Sequence, residues 1–184
     1  MSARLKNLSK KDMVFIGICI IGGILVLASY VWIISGFNGD LSSFWGGMPE
    51  RFLGGYYVSM ILSALGYFIF TLFVFFKIDK KVKIRKESLY SLVNKFYIFL
   101  LIPSALWMPL VDLYLKNETL FLWLVIRLVL LLVGLSSFGI FLIILQFGNR
   151  RKRLFFILAL ISSAYFFFHA GILDALIWPY YFLR

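Results

Sequence analysis

Charge and sulfur are scarce in this chain. It has one cysteine (Cys19), one histidine (His169), four prolines and eight acidic residues. A single cysteine excludes an internal disulfide and a cysteine-based zinc site. Its place inside an apolar run reads as a small buried apolar side chain. The sequence has no Walker loop, no HExxH, no paired-cysteine motif and no recognisable Ser-His-Asp signature. It also lacks an internal repeat and low-complexity tracts. With so few polar groups it is too small for most transporters built on inverted repeats.

Apolar residues fill the space left. Hydrophobic residues make up 62% of the chain, aromatics 20% and charged residues 15%, with a mean hydropathy of +0.96. Such a composition belongs to a polytopic membrane protein, and the length suits one transmembrane domain over residues 1–184. Five apolar segments, about 13–36, 54–76, 90–115, 119–147 and 154–179, each reach the roughly 20 residues needed to cross the hydrocarbon core. Spans that satisfy their own backbone in lipid are helices, so the expected fold is an all-α five-transmembrane-helix bundle. The first run follows Arg4, Lys6, Lys10 and Lys11, but it is longer than a signal-peptide core and reads as a retained span.

The net charge of +11 is concentrated between spans. Lys77, Lys80, Lys81, Lys83, Arg85 and Lys86 lie in one loop, and Arg150, Arg151, Lys152 and Arg153 in another. Asp40, Glu50 and Glu118 mark the alternate loops. This asymmetry predicts a cytoplasmic N-terminus and an external C-terminus in a plasma or inner membrane. Basic loops of this kind are orientation signals, so the partner they imply is the lipid bilayer, not nucleic acid.

Four ionisable residues interrupt the spans: Asp112, Arg127, His169 and Asp174. Intramembrane charge is costly, by roughly 2.5–3.5 kcal/mol for Arg or Asp on insertion scales, and faces a bundle interior or a wet cavity. Helical rise puts Arg127 and His169 roughly 12–13 Å below the outer surface, with Asp112 and Asp174 shallower. All four therefore share the outer half, which predicts a ligand pocket there. Arg127 needs a carboxylate partner, and Asp112 or Asp174 is expected to supply it; the plain structural reading is an ion pair tying spans three, four and five together. His169 is a candidate proton carrier, metal ligand or porphyrin axial ligand, or simply a hydrogen-bonded packing residue. Five residues separate His169 from Asp174, so on an α-helix they do not share a face, whereas Asp174 and Trp178 do.

Other features cluster at the same end. Loop 37–53 carries Trp45, a Gly pair, Pro49 and Glu50, and is expected to cover the pocket as a lid or to anchor the interface. Trp107 lies between Pro103 and Pro109, whose kinks would open space in span three. Trp107, Trp123 and Trp178 are either interfacial belt residues or walls for a flat or sterol-like ligand. Small residues (Gly22, Gly23, Ser59, Ser63, Gly66, Gly134, Ser136, Ser137, Gly139) permit close helix contacts, a homodimer face among them. The C-terminal run Leu176–Arg184 fits the loose cholesterol pattern of an aliphatic residue, then Tyr, then a basic residue.

Ala105-Leu106-Trp107-Met108-Pro109-Leu110 is similar to the end of the third helix, and Phe168–Trp178 to the end of the fifth, with Asp174 at an Asn position, of the TspO/translocator family of tryptophan-rich sensory proteins. Tyr56 through Gly66 is similar to part of the second helix. The resemblance covers roughly a third of the chain. It departs in the first loop, where only Pro49 remains of a Pro-rich stretch, in Tyr or Phe at several Trp positions, and in Arg127 and His169. It implies a five-helix bundle that binds porphyrins or sterol-like lipids near the first loop.

The function expected from the sequence is binding of an amphipathic small molecule (a tetrapyrrole such as haem, a sterol or an isoprenoid-like lipid) by a sensor, carrier or transporter that requires no cofactor. The ligand-binding candidates are Trp45, Glu50, Tyr56, Trp107, Asp112, Arg127, His169, Asp174 and Trp178, with no metal site. One alternative is a lipid-modifying enzyme using Asp112, His169 and Asp174 as acid–base groups. Another is an accessory subunit of a larger membrane complex.

Overall fold

A computed structural model describes residues 8–37, 39–79, 82–84, 87–148 and 153–182. The basic positions Arg4, Lys6, Lys80, Lys81, Arg85, Lys86, Arg150, Arg151 and Lys152 and the C-terminal Arg184 lie outside the described residues. Five long helices occupy the five predicted segments: α1 (Lys10–Gly36), α2 (Glu50–Lys77), α3 (Leu89–Lys116), α4 (Leu120–Phe147) and α5 (Arg153–Phe182). Each is long and apolar enough to cross a membrane, the architecture of a multi-pass membrane protein.

Local chemistry sets the helix ends. Ser9 and Asp12 form a reciprocal capping box at the start of α1, which satisfies two otherwise orphaned backbone N–H groups. Thr119 caps α4 through the Leu122 N–H. Helix α3 continues through both Pro103 and Pro109. Ahead of it, β1 (Lys83–Ile84) pairs antiparallel with β2 (Glu87–Ser88), and Lys95 reaches back to Glu87 at 2.7 Å.

Neighbours in space are only in part neighbours in sequence. Helix α1 lies against α3, α3 against α4, α4 against α5, and α5 against α2. Small residues sit at several of these contacts. A Cβ on Gly22 would meet the Leu101 side chain, and one on Gly66 would come within 3.2 Å of the Ser162 carbonyl. At Gly134 the approach is backbone to backbone, since a Cβ there would lie 2.9 Å from Gly171 Cα. Gly23, by contrast, faces open space.

Two apolar cores stack along the bundle. One, around Phe15, Phe73, Tyr90 and Tyr97, lies toward the β1–β2 end. The other, around Trp45, Tyr56, Ile126, Trp178 and Phe182, lies where loop 37–49 meets the end of α5. Loop 37–49 closes that end. Its short 3-10 turn (Leu41–Trp45) brings the Phe44 carbonyl within 2.9 Å of the Trp178 indole N–H, and the Gly47 N–H donates to the Tyr181 carbonyl at 3.0 Å.

Helix α5 changes winding midway. From Phe168 to Ile177 it is a π-helix, closing i→i+5 hydrogen bonds in place of i→i+4. Such segments concentrate at functional sites. This one holds both His169 and Asp174.

Candidate functional site

Five residues from two helices form one connected polar chain inside the bundle. Helix α2 supplies Tyr56 and Ser59; α5 supplies Tyr165, His169 and Asp174. The Tyr56 hydroxyl donates to Asp174 Oδ1 at 2.9 Å. Ser59 Oγ lies 2.9 Å from His169 Nδ1 and accepts from the Tyr165 hydroxyl at 3.0 Å. His169 Nε2 faces Asp174 Oδ2 at 3.6 Å.

Ser59 accepts a hydrogen bond from Tyr165, and its own hydroxyl hydrogen is free to go to His169 Nδ1. In the tautomer that makes this bond, the imidazole hydrogen sits on Nε2 and faces Asp174. Ser59 and His169 are buried, whereas the Asp174 side chain is 28% exposed. The chain thus runs from an enclosed interior to a carboxylate with an open side.

The π winding makes this arrangement possible. On an α-helix, residues five apart diverge by roughly 140°. In the π segment they stack on one face, so His169 and Asp174 meet. The expectation that they face apart is therefore overturned, and the reason is the local change of helical repeat.

Among the described residues, no hydrogen bond or ion pair joins Asp112 or Arg127 to His169 or Asp174. Asp112 binds Lys116 one turn along α3, at 2.8 Å. Arg127 is half-buried on the flank of α4, with its guanidinium 5.9 Å from the centre of the Trp123 ring. Among the described residues it forms no ion pair with Asp112 or Asp174. An aromatic face and a local i,i+4 cation take the roles expected of an interhelical Arg–Asp pair. The acid–base trio Asp112, His169 and Asp174 is thereby reduced to His169 and Asp174.

The remaining candidates divide. Trp45 is buried against Tyr56, ring centroids 5.0 Å apart, and so belongs to the site. Glu50 is exposed in the first turn of α2. Trp178 is fully buried and packs edge-on to Trp107 at 5.7 Å and parallel to Phe182 at 4.4 Å. Trp178 belongs to the buried aromatic core at this end, with Trp107 partly buried against it.

A groove of about 310 Å³ runs beside the polar chain, between α2 and α5. Met48, Phe52, Gly55, Tyr56, Leu173, Ile177 and Tyr181 line it. It is open on one side and almost wholly apolar. Tyr56 belongs to both features: its ring forms groove wall while its hydroxyl holds Asp174.

Sequence reasoning missed Ser59 and Tyr165 as site residues. Ser59 was legible only as a small packing residue, and nothing in the chain links it to His169 110 positions away. Ser59, His169 and Asp174 have the side-chain types of a nucleophilic triad, but the imidazole is reversed, with Nδ1 on the serine and Nε2 toward the acid. Ser59 is also only 5% exposed and already accepts from Tyr165. The geometry is that of a relay that orients Asp174. His169 Nδ1 is engaged by Ser59, and Nε2 faces Asp174 at 3.6 Å. Among the described residues no three His, Cys, Asp or Glu side chains gather as a metal site. No protein-family model, curated protein or solved structure matches this chain.

Proposed function

We propose that this protein is a multi-pass membrane protein that holds an amphipathic small molecule in the α2–α5 groove, as a carrier, sensor or transporter. One observation carries the reading: Tyr56 lines an apolar groove of ligand size, and its hydroxyl bonds a partly exposed intramembrane carboxylate, Asp174. Ligand sites combine an apolar lining with a few placed polar groups, and intramembrane ionisable residues mark functional sites. The hydrocarbon part of the ligand lies along Phe52, Leu173 and Ile177. Its polar end reaches Tyr56 and Asp174.

This placement differs from one centred on Arg127. It favours a sterol-like or isoprenoid amphiphile over a tetrapyrrole, whose carboxylates would meet Asp174. The similarity to tryptophan-rich sensory proteins supports a pocket near the first loop, from which Met48 reaches the groove. The basic segments support an N-terminus in the cytoplasm, which puts the groove in the outer half of a plasma or inner membrane.

Photo-crosslinking with a diazirine-bearing long-chain amphiphile tests the reading. Crosslinks are expected on the peptides carrying Phe52, Ile177 and Tyr181, and are expected to vanish in Ile177→Trp, which fills the groove. Crosslinks spread over all lipid-facing helices and unchanged by that substitution would overturn it.

A further inference from the structure

The chemistry around Asp174 narrows the ligand's polar end, given a ligand in the groove. A carboxylate offers about four acceptor positions on its two oxygens. Here one oxygen accepts from Tyr56 at 2.9 Å, while His169 Nε2 stands 3.6 Å from the other, too far for a full hydrogen bond. Oδ2 therefore keeps acceptor capacity, and the side chain is 28% exposed, next to Tyr56, which lines the groove. Among the described residues no Lys or Arg pairs with Asp174, so its countercharge is not supplied from within the bundle.

The surroundings are aromatic. Tyr56, Tyr181 and Phe52 line the groove, and Trp45 backs Tyr56 edge-on at 5.0 Å. An acidic group set among aromatic faces is the arrangement that recognises organic ammonium ions, through ring quadrupoles and one ion pair. It repels a carboxylate and offers an alcohol only a hydrogen bond.

We infer that the groove takes a lipophilic ammonium, its alkyl chain along Leu173 and Ile177 and its charged nitrogen between Asp174 Oδ2 and the Tyr56 ring. This inference rests on the groove being a ligand site, and its test separates the two. Purified protein in nanodiscs is titrated with chain-brominated hexadecylamine, hexadecanol and hexadecanoate, reading the quenching of Trp45. A Trp45→Phe control assigns the signal.

The amine is expected to bind at least about tenfold tighter than the alcohol, a difference of about 1.4 kcal/mol, with the carboxylate weakest. Asp174→Asn is expected to erase the preference, bringing amine binding down to that of the alcohol. Equal binding of all three heads, or a preference that survives Asp174→Asn, would overturn the ammonium assignment and leave the groove standing. Absence of quenching by every head would overturn the groove itself. If Asp174→Asn does not fold, the order of the three heads on the wild-type protein decides alone.

Discussion

The hydroxyl of Tyr56 and the carboxylate of Asp174, 118 residues apart in sequence, meet at 2.9 Å and join the second helix to the fifth. Tyr56→Phe removes that bond and keeps the ring that packs against Trp45. It is expected to destabilise the protein by about 1.5–3 kcal/mol, the range for a hydrogen bond to a charged group. Chemical unfolding in detergent micelles, followed by tryptophan emission, measures it. An unchanged midpoint would show that the bond contributes nothing to the fold.

Gly134 is the second expected weak point. Its Cα side faces the Gly171 backbone so closely that a Cβ would fall 2.9 Å from Gly171 Cα. Backbone cannot yield as a side chain can. Gly134→Val should destabilise by about 1–3 kcal/mol through overpacking. It should also push α4 from the π segment, which disulfide trapping between cysteines placed on the two helices would detect.

Gly46 carries a different constraint. Its φ of 55° and ψ of −130° suit glycine alone, and a Cβ would lie 2.6 Å from Phe182 Cα. Gly46→Ala is expected to detach loop 37–49 from the end of α5, at a cost of about 1–2 kcal/mol from the backbone conformation alone. Faster limited proteolysis within residues 37–49 is the readout.

Acid should loosen the β2–α3 junction. The Lys95 ammonium and then the Ser91 hydroxyl, both bonded to Glu87, hold its carboxyl below the usual range. A carboxylate depressed in the folded state contributes stability that is present above its unfolded pKa, about 4.3, and is lost as pH falls through the lower folded value. Hydrogen exchange at Leu89–Val93 is expected to speed up in that acidic window. In Glu87→Gln the pH dependence should flatten.

The spans were legible because lipid imposes one rule on every backbone group: about twenty apolar residues in a row must be helix. Predicted and observed segments accordingly differ only at their ends. Small residues were legible for the same kind of reason, since Gly66 and Gly134 serve where backbones approach. The site was only half legible. His169 and Asp174 stood out as ionisable residues in apolar runs, but their contact depends on a winding that the sequence does not announce. The order α1–α3–α4–α5–α2 was not legible either. It sets Ser59 and Tyr56 beside α5 and leaves Arg127 to an aromatic face on its own helix.

The altered repeat in α5 also acts as a phase shift. Each turn from Phe168 to Ile177 takes up one residue more than an ordinary turn, so the helix emerges at Trp178 rotated relative to an unbroken α-helix. Removing a single residue from this stretch would let a wide turn close as an ordinary one and part His169 from Asp174, whose contact depends on it. In this protein, residue count along one short stretch is therefore as tightly constrained as residue identity.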